Sequence, residues 1–401
     1  MDSWENLRQE HNEYLQSVDE SFSRQSRWND MDWAEKLLFI KGPRGVGKST
    51  MILQYIRDKF QFDAKALYVT MDSLNLSGMS ILEIAKKHQN LGGTHLYIDE
   101  IHKYEGWSKE LKNINDLYKK LHVVVSGSSI LKMDKGEADL SRRAVTYNME
   151  GLSFREYIWF KTGIVLETLK LEDIVKSHVD LSVEISNKIN PLLLHKEYLQ
   201  FGYYPFFMQG TKSFRQKLNN AVNQSIEQDI MQINEIEVNN IGKIKKLLYH
   251  LAISVPFKPN STKLAESLGL NRQTLNLYLF YLTEAKIIQS ILASGKSYSM
   301  ISKPDKIYLN NTNLCYLVPE SRVNTGNLRE TFFANQLSKL HNVNTSDKGD
   351  FLIDNKYIFE VGGPNKKFTQ IADLPFSYTV VDDEITGYGN KIPLWLFGML
   401  Y

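Results

Sequence analysis

The chain has 401 residues, 42% hydrophobic and 23% charged, which are the proportions of ordinary globular protein with material for two or three domains. Its 48 basic and 46 acidic residues nearly cancel, which argues against a general nucleic-acid or membrane-surface binder but leaves local patches open. The single cysteine, Cys315, excludes an intramolecular disulfide and a cysteine-built zinc site. The polar start MDSWENLRQEHNEYL lacks the apolar core of a secretory signal, and no apolar run reaches the ~18 residues of a membrane span, so a cytoplasmic protein with no membrane partner is expected.

Residues 1–34 predict one or two polar helices anchored by Trp4, Trp28 and Trp33, with Asp2 or Ser3 as cap. A short apolar strand at 36–41 then runs into Gly42-Pro43-Arg44-Gly45-Val46-Gly47-Lys48-Ser49-Thr50, the pattern G-x-x-x-x-G-K-[ST]. Its glycines let backbone N–H groups turn inward around phosphate oxygens, and the helix that follows adds the positive end of its dipole. Lys48 is expected to reach the β- and γ-phosphates of ATP, and the Ser49 hydroxyl to bind Mg²⁺. A second strand at 66–70, a helix at 81–91, a third strand at 94–98, a helix at 107–120 and a fourth strand at 121–125 alternate without hairpin turns. That rhythm predicts a parallel sheet covered by helices.

The third strand ends in Asp99-Glu100, about fifty residues after the phosphate loop. Ligands of open α/β sheets sit outside this end of the strands. Asp99 is placed to hold Mg²⁺ directly or through water, and Glu100 to polarise the attacking water. The fourth strand ends in Ser126-Gly127-Ser128-Ser129. Ser128 is a candidate contact to the γ-phosphate or the water, and the same residues read equally well as a turn. Arg142 or Arg143 could stabilise developing phosphate charge, from its own chain or from a neighbour's in an oligomer, and a solvated surface pair is the competing reading.

The segments GPRGVGKST, LYIDEIHKYEGW, VVVSGSS and SRRAVTYNMEGLSFREY, with YLQFGYYP (198–205) and EQDI (227–230), resemble the AAA+-type ATPases of prokaryotes that carry an uncharacterised C-terminal domain. The resemblance runs from about 35 to 401. It implies an ATPase core, a helical lid that closes over the adenine, a winged helix, and a C-terminal fold similar to restriction-endonuclease-like domains.

The later chain has its own local signals. Residues 154–164 carry an apolar-aromatic face, and Leu166–Lys188 is amphipathic. IGKIKKLLYHLAIS, the breaker VPFKPN, STKLAESLGL and the helix opened by Asn271 form a helix-turn-helix order. Strands at Ile287–Leu292 and Ser297–Ile301 are expected as the wing. In that reading Arg272, Gln273 and Asn276 meet base edges in DNA, against a protein-packing role for the same helix. A helix at 327–340 and a hairpin turning at Asp354-Asn355 follow. Glu330, Asp350 and Glu360 have the order of the acids in PD-(D/E)XK-type nucleases. Those enzymes place a lysine two residues after the last acid, where this chain has Gly362, with Lys366 or Lys367 as nearby substitutes. A vestigial, inactive nuclease site is therefore expected. The apolar tail IPLWLFGMLY is expected to dock.

The expected architecture is α/β. It comprises N-terminal helices (1–34), a P-loop NTPase parallel sheet (35–150), a helical lid (151–240), a winged helix (241–303) and a C-terminal α+β nuclease-like domain (304–401). The expected function is ATP binding and hydrolysis coupled to the later domains. The alternatives are a nucleotide-gated protein-interaction switch acting on an unidentified protein partner, and a metal-dependent DNA-processing enzyme.

Overall fold

The structure, a computed structural model, describes residues 3–24, 28–76, 78–130, 140, 142–230, 240–254, 261–296 and 304–401. The alternative cap Asp2, the VPFKPN loop and the second wing strand at Ser297–Ile301 lie outside the described residues. The chain divides into two units, Met1–Glu150 and Gly151–Tyr401.

In the first unit, helix α1 (Ser3–Ser17) sets Trp4 and Leu7 into the core. Strand β1 (Leu37–Gly42) leads through the phosphate loop into α2 (Lys48–Phe60). The order continues β2 (Ala66–Thr70), α3 (Ile81–Asn90), β3 (His95–Asp99), α4 (Trp107–Leu117), β4 (His122–Ser128) and β5 (Val145–Asn148). All pairings are parallel, in the order β2-β3-β4-β1-β5. Strands β1 to β4 are continuous apolar runs because helices cover both faces of such a sheet. Helix α3 starts at a reciprocal capping box between Ser80 and Glu83. The edge strand β5 had no reading in the sequence, since VTYN is half exposed and too short to show a period.

The second unit opens with α5 (Phe154–Thr162), capped by a Ser153–Glu156 box, then α6 (Leu171–Ser186), α7 (Pro191–Glu197) and α8 (Phe214–Gln224). Helices α9 (Ile241–Ser254), α10 (Ser261–Ser267) and α11 (Arg272–Glu284) follow. Strands β6 (Ile288–Ala293) and β7 (Lys306–Leu309) come next. Then come α12 (Thr325–Leu337), β8 (Val343–Thr345), β9 (Phe351–Ile353), β10 (Tyr357–Gly362), β11 (Ser377–Val381) and β12 (Lys391–Pro393).

These strands form one seven-stranded sheet in the order β12-β11-β10-β9-β8-β6-β7. The β9–β10 hairpin turns on Asp354 and Asn355, both at positive φ, as the turn chemistry requires. The expected boundaries at 240 and 303 fall inside this unit. Strand β6 pairs antiparallel with β7, which had been assigned to the next domain, and its other edge pairs parallel with β8. The winged segment and the nuclease-like segment therefore share one sheet.

The lid segment belongs to the same unit. Asn313 Nδ2 donates to the carbonyls of Tyr198 (3.1 Å) and Leu199 (3.0 Å), and the Tyr203 N–H donates to Asn313 Oδ1 at 2.9 Å. Gln336 Nε2 donates to the Tyr198 hydroxyl at 3.0 Å, and Arg155 Nε to the Tyr401 carbonyl at 3.1 Å. Asn313 and Gln336 are fully buried, so separating the segments would strand their amides without partners. The docked tail follows β12 as a buried turn of helix, Leu394–Met399.

Candidate functional site

Strand β1 delivers the chain to the carboxyl edge of the first sheet, where the backbone must turn sharply. Gly45 (φ 81°) and Gly47 (φ 94°) supply the left-handed conformations, and Gly47 is the residue preceding α2. Gly42 is glycine for a different reason. A β-carbon there would lie 2.3 Å from the carbonyl oxygen of Met149. Val46 and Pro43 are buried and pin the loop, while Gly45 and Thr50 are exposed. Arg24, itself buried, donates to the carbonyls of Val46 (3.4 Å) and Glu150 (2.8 Å) and braces the loop from the N-terminal segment.

Lys48 is buried, and its ammonium donates to the carbonyls of Gly42 (2.8 Å) and Pro43 (2.9 Å). Ser49 and Thr50 stand on the first turn of α2, where backbone N–H groups lack intrahelical partners. Ser128 is the register partner of Gly42, which brings the end of β4 against the start of the loop, and Ser128 is buried there.

The strand order decides where the acids go. Strand β4 lies between β1 and β3, so Asp99 and Glu100 stand about 10 Å across the sheet edge from the phosphate loop, two strand spacings away. Asp99 is buried, and both of its oxygens accept hydroxyl hydrogens: Oδ2 from Tyr68 at 2.7 Å, Oδ1 from Ser126. Burial, and then the charge of Asp99, raise the Tyr68 hydroxyl far above its ordinary range, so it serves as a neutral donor. The sequence does not single out Tyr68, and it offers Ser126 only within the Ser126–Ser129 run as a contact to the γ-phosphate or the water, not as a partner of Asp99. Both are the inward residues of apolar strands, and only the parallel register aims them at Asp99.

Glu100 adopts a left-handed backbone (φ 54°, ψ 41°), and its N–H donates to Ser126 Oγ at 3.3 Å. For a residue with a side chain this conformation costs of order 1 kcal/mol, and such strain concentrates at working sites. Its Oε2 is buried without a hydrogen-bond partner. His102 Nε2 lies 3.4 Å from it and Arg44 Nη1 3.8 Å from it. Among the described residues, no group of three or more His, Cys, Asp or Glu could hold a metal ion. The donor set at Ser49 and Asp99 fits Mg²⁺ carried in by phosphates, since that ion keeps its waters and needs only one or two protein ligands.

The register locates the two arginines. Val145 is level with Leu38, so Arg142 and Arg143 sit at the amino edge of the sheet, about 13 Å of strand from this chain's own phosphate loop. Arg143 Nε instead donates to Asp116 Oδ1 at 3.1 Å. The register thus starts both arginines at the opposite end of β1 from this chain's own phosphate loop.

In the second unit, Glu330 on α12, Asp350 before β9 and Glu360 on β10 do gather, but around lysines. Lys306 Nζ lies 3.5 Å from Asp350 Oδ1 and 3.9 Å from Glu330 Oε2. The Tyr308 hydroxyl donates to Glu330 Oε2 at 2.6 Å, and the Val361 N–H to Asp350 Oδ2 at 2.9 Å. Lys366 Nζ lies 2.5 Å from Glu360 Oε1. The stem of Lys366 fills the space a side chain at Gly362 would take, within 2.7 Å of an added β-carbon. Burial, then Asp350, raise the Glu330 carboxyl above the usual carboxylate range. Burial opposes charge on Lys366, but Glu360, Asp350 and Glu330 outweigh it and raise its ammonium. The three acids thus do not assemble into a metal-holding group.

The helix-turn-helix order is present as α10, a turn at Gly269, and α11 capped by Asn271, whose side chain accepts from the Thr274 N–H at 2.8 Å. Arg272 and Gln273 are exposed on the first turn of α11. The Asn276 Oδ1 is buried and lacks a hydrogen-bond partner.

Residues 34–158 match the AAA domain family, and residues 193–323 match a domain of unknown function, DUF8612, which runs across both boundaries expected at 240 and 303. The chain is 28% identical over 287 residues to the uncharacterised protein MJ1637 of Methanocaldococcus jannaschii, covering 68% of this chain and 60% of that protein. It thus spans less than two thirds of that relative. Among solved structures it is similar to the Aeropyrum pernix ORC1 protein in complex with DNA (12% identity, TM-score 0.30, 80% of this chain and 91% of that one). It is also similar to AMPPCP-bound DnaA from Aquifex aeolicus (13% identity, TM-score 0.27, 68% of this chain and 91% of that one). At those scores neither likeness assigns a ligand or partner here. The match over residues 34–158 and the parallel five-stranded sheet fit a P-loop α/β fold. Among the described residues, no helix is long and apolar enough to cross a membrane.

Proposed function

We propose that the chain binds ATP with Mg²⁺ at Gly42–Thr50 and hydrolyses it, and that nucleotide state is passed to the second unit. The observation that carries this reading is the sheet order. It sets a left-handed Glu100, with one carboxylate oxygen lacking a hydrogen bond, across β4 from the phosphate loop. The loop's backbone N–H groups and the start of α2 hold the phosphates. Lys48 exchanges the Gly42 and Pro43 carbonyls for β- and γ-phosphate oxygens. Ser49 would ligate Mg²⁺, which would offset the charge of the phosphates, and Asp99, both of whose oxygens already accept hydroxyls, would hold the ion through water. Glu100 orients the attacking water and Ser128 faces the γ-phosphate side of the loop.

The test compares Lys48→Ala and Glu100→Gln by equilibrium binding of a fluorescent ATP analogue and by steady-state turnover. Lys48→Ala is expected to lose binding. Glu100→Gln is expected to keep binding and lose turnover at least 100-fold, the scale of a group acting in the transition state. Turnover at the wild-type rate in Glu100→Gln removes the assignment.

The arrangement α9–α11 with the β6–β7 strands is read as a winged helix. Exposure of Arg272 and Gln273 favours duplex DNA contact there. Fluorescence anisotropy with duplex DNA tests it. Arg272→Ala is expected to weaken binding, and no binding by the wild type ends this reading.

A further inference from the structure

Arg44 belongs to the phosphate loop by its backbone, yet its guanidinium is directed to the acid. Nη1 lies 3.8 Å from Glu100 Oε2, and Nη2 lies 3.4 Å from His102 Nε2. The same His102 nitrogen lies 3.4 Å from the same Glu100 oxygen. His102 is held in place, on the short helical turn Ile101–Lys103 that follows Glu100, with its side chain only 3% exposed.

The two contacts of His102 Nε2, to Arg44 and to Glu100, cannot both be hydrogen bonds at once. To receive a hydrogen from Arg44, His102 Nε2 must present its lone pair. To donate to Glu100, the same nitrogen must carry a hydrogen. One atom cannot do both; with Arg44 Nη1 at 3.8 Å, beyond hydrogen-bond reach, Glu100 Oε2 has no hydrogen-bond partner. Whichever partner Arg44 takes therefore decides what His102 can offer Glu100. Arg44 extends from the loop that binds phosphate, and a phosphate oxygen is a stronger bidentate partner for guanidinium than an imidazole nitrogen.

We propose that Arg44 and His102 are positioning residues that link occupancy of the phosphate loop to the orientation of Glu100. With phosphate in the loop, Arg44 turns toward it. His102 is then released to donate Nε2–H to Glu100 Oε2, which fixes the carboxylate for the attacking water. Without phosphate, Arg44 engages both groups and the acid is not aimed. This rests on the hydrolytic reading above, and it adds a specific control of that site by loop occupancy.

The experiment measures turnover and analogue binding for Arg44→Ala, Arg44→Lys, His102→Leu and His102→Gln, alone and combined with Glu100→Gln. His102→Leu is expected to lower kcat at least ten-fold with KM within about two-fold, since small misplacement of a catalytic group costs that much or more. His102→Gln, whose amide can donate near the place of Nε2, is expected to recover part of the loss. Arg44→Ala is expected to lower kcat more than KM changes, with Arg44→Lys intermediate. In the Glu100→Gln background neither Arg44→Ala nor His102→Leu is expected to lower the residual rate further, because both act through Glu100.

A full additional loss in that background overturns the proposal, as does an Arg44→Ala effect confined to binding, or unchanged kcat in His102→Leu. Retained analogue binding shows that a variant is folded, and a His102→Leu chain that does not bind is replaced in the comparison by His102→Asn. Wild-type turnover no higher than that of Lys48→Ala is a separate result. It removes the hydrolytic reading itself.

Discussion

Each unit carries carboxylates and lysines near strand ends, and the two arrangements differ in how those charges are partnered. In the first unit Lys48 is spent on backbone carbonyls, Asp99 is held by neutral hydroxyls, and Glu100 keeps an oxygen with no hydrogen bond. That oxygen is flanked by Arg44 and His102, and among the described residues no lysine is ion-paired with it. In the second unit Lys306 stands between Glu330 and Asp350, and Lys366 covers Glu360. Those charges satisfy one another, and the cluster behaves as a structural ion-pair network. The same residue types therefore mark a candidate ligand site in one sheet and a self-neutralised interior in the other. The difference lies in which partners the fold supplies.

The largest test of this contrast is Lys306→Met. It leaves Glu330 and Asp350 facing each other without their cation, and breaking such a buried network costs about 4 kcal/mol. Hydrogen exchange at the amides of β9 and β10 should show faster opening, largely restored by adding Glu330→Gln. Unchanged protection would mean that the lysine is dispensable and that the cluster is not structural.

Next is Gly42→Ala, where the added methyl meets a backbone oxygen that cannot move aside. A cost of about 3 kcal/mol and loss of ATP-analogue binding are expected, read by thermal unfolding and titration.

A third test concerns acid sensitivity. His195 is wholly buried between Phe154 and Phe332, and burial pushes its imidazole down to about 3. The folded value lies below the unfolded one of 6.5, so this stability is present above pH 6.5 and is lost as pH falls toward 3. Between pH 7.5 and 5 the loss is roughly 2 kcal/mol. His195→Phe should flatten that part of the stability profile of the second unit in chemical denaturation against pH. An equally steep profile would place the acid sensitivity elsewhere.

The smallest expected effect is Gly362→Ala, about 1 kcal/mol by the same denaturation. There the added methyl meets the Cβ of Lys366 at 2.9 Å and its Cγ and Cδ at 2.7 Å, so the side chain must shift from its root but no neighbouring carbonyl is struck. A cost like that of Gly42→Ala would show that Lys366 is rigidly locked.

Much of the first unit was legible in the sequence, because its signals are local. A phosphate loop between an apolar strand and a helix, and Asp99-Glu100 at the end of another strand, are short patterns whose chemistry demands those residues. Unbroken apolar strands alternating with helices announced the parallel sheet. The partition of the second unit was not legible. No composition shift separates 241–303 from 304–401, and nothing local in Ile288–Ala293 says that its partners are Lys306–Leu309 and Val343–Thr345. Such pairing is settled by which edges remain to be hydrogen-bonded after the chain has collapsed.

The sequence by itself determined the phosphate loop, the acid pair and the helix-turn-helix order, since each is fixed by residues within one turn or one strand of each other. Tertiary structure alone decided that Tyr68 and Ser126 hold Asp99, and that Arg44 and His102 compete around Glu100. It also decided that Arg142 and Arg143 start at the amino edge of the sheet, with Arg143 bonded to Asp116, and that lysines close over Glu330, Asp350 and Glu360. The physical reason is common to all four. A side chain's charge or hydroxyl is written in the sequence, but the partner that satisfies it comes from strand order and register, which bring together residues far apart in the chain.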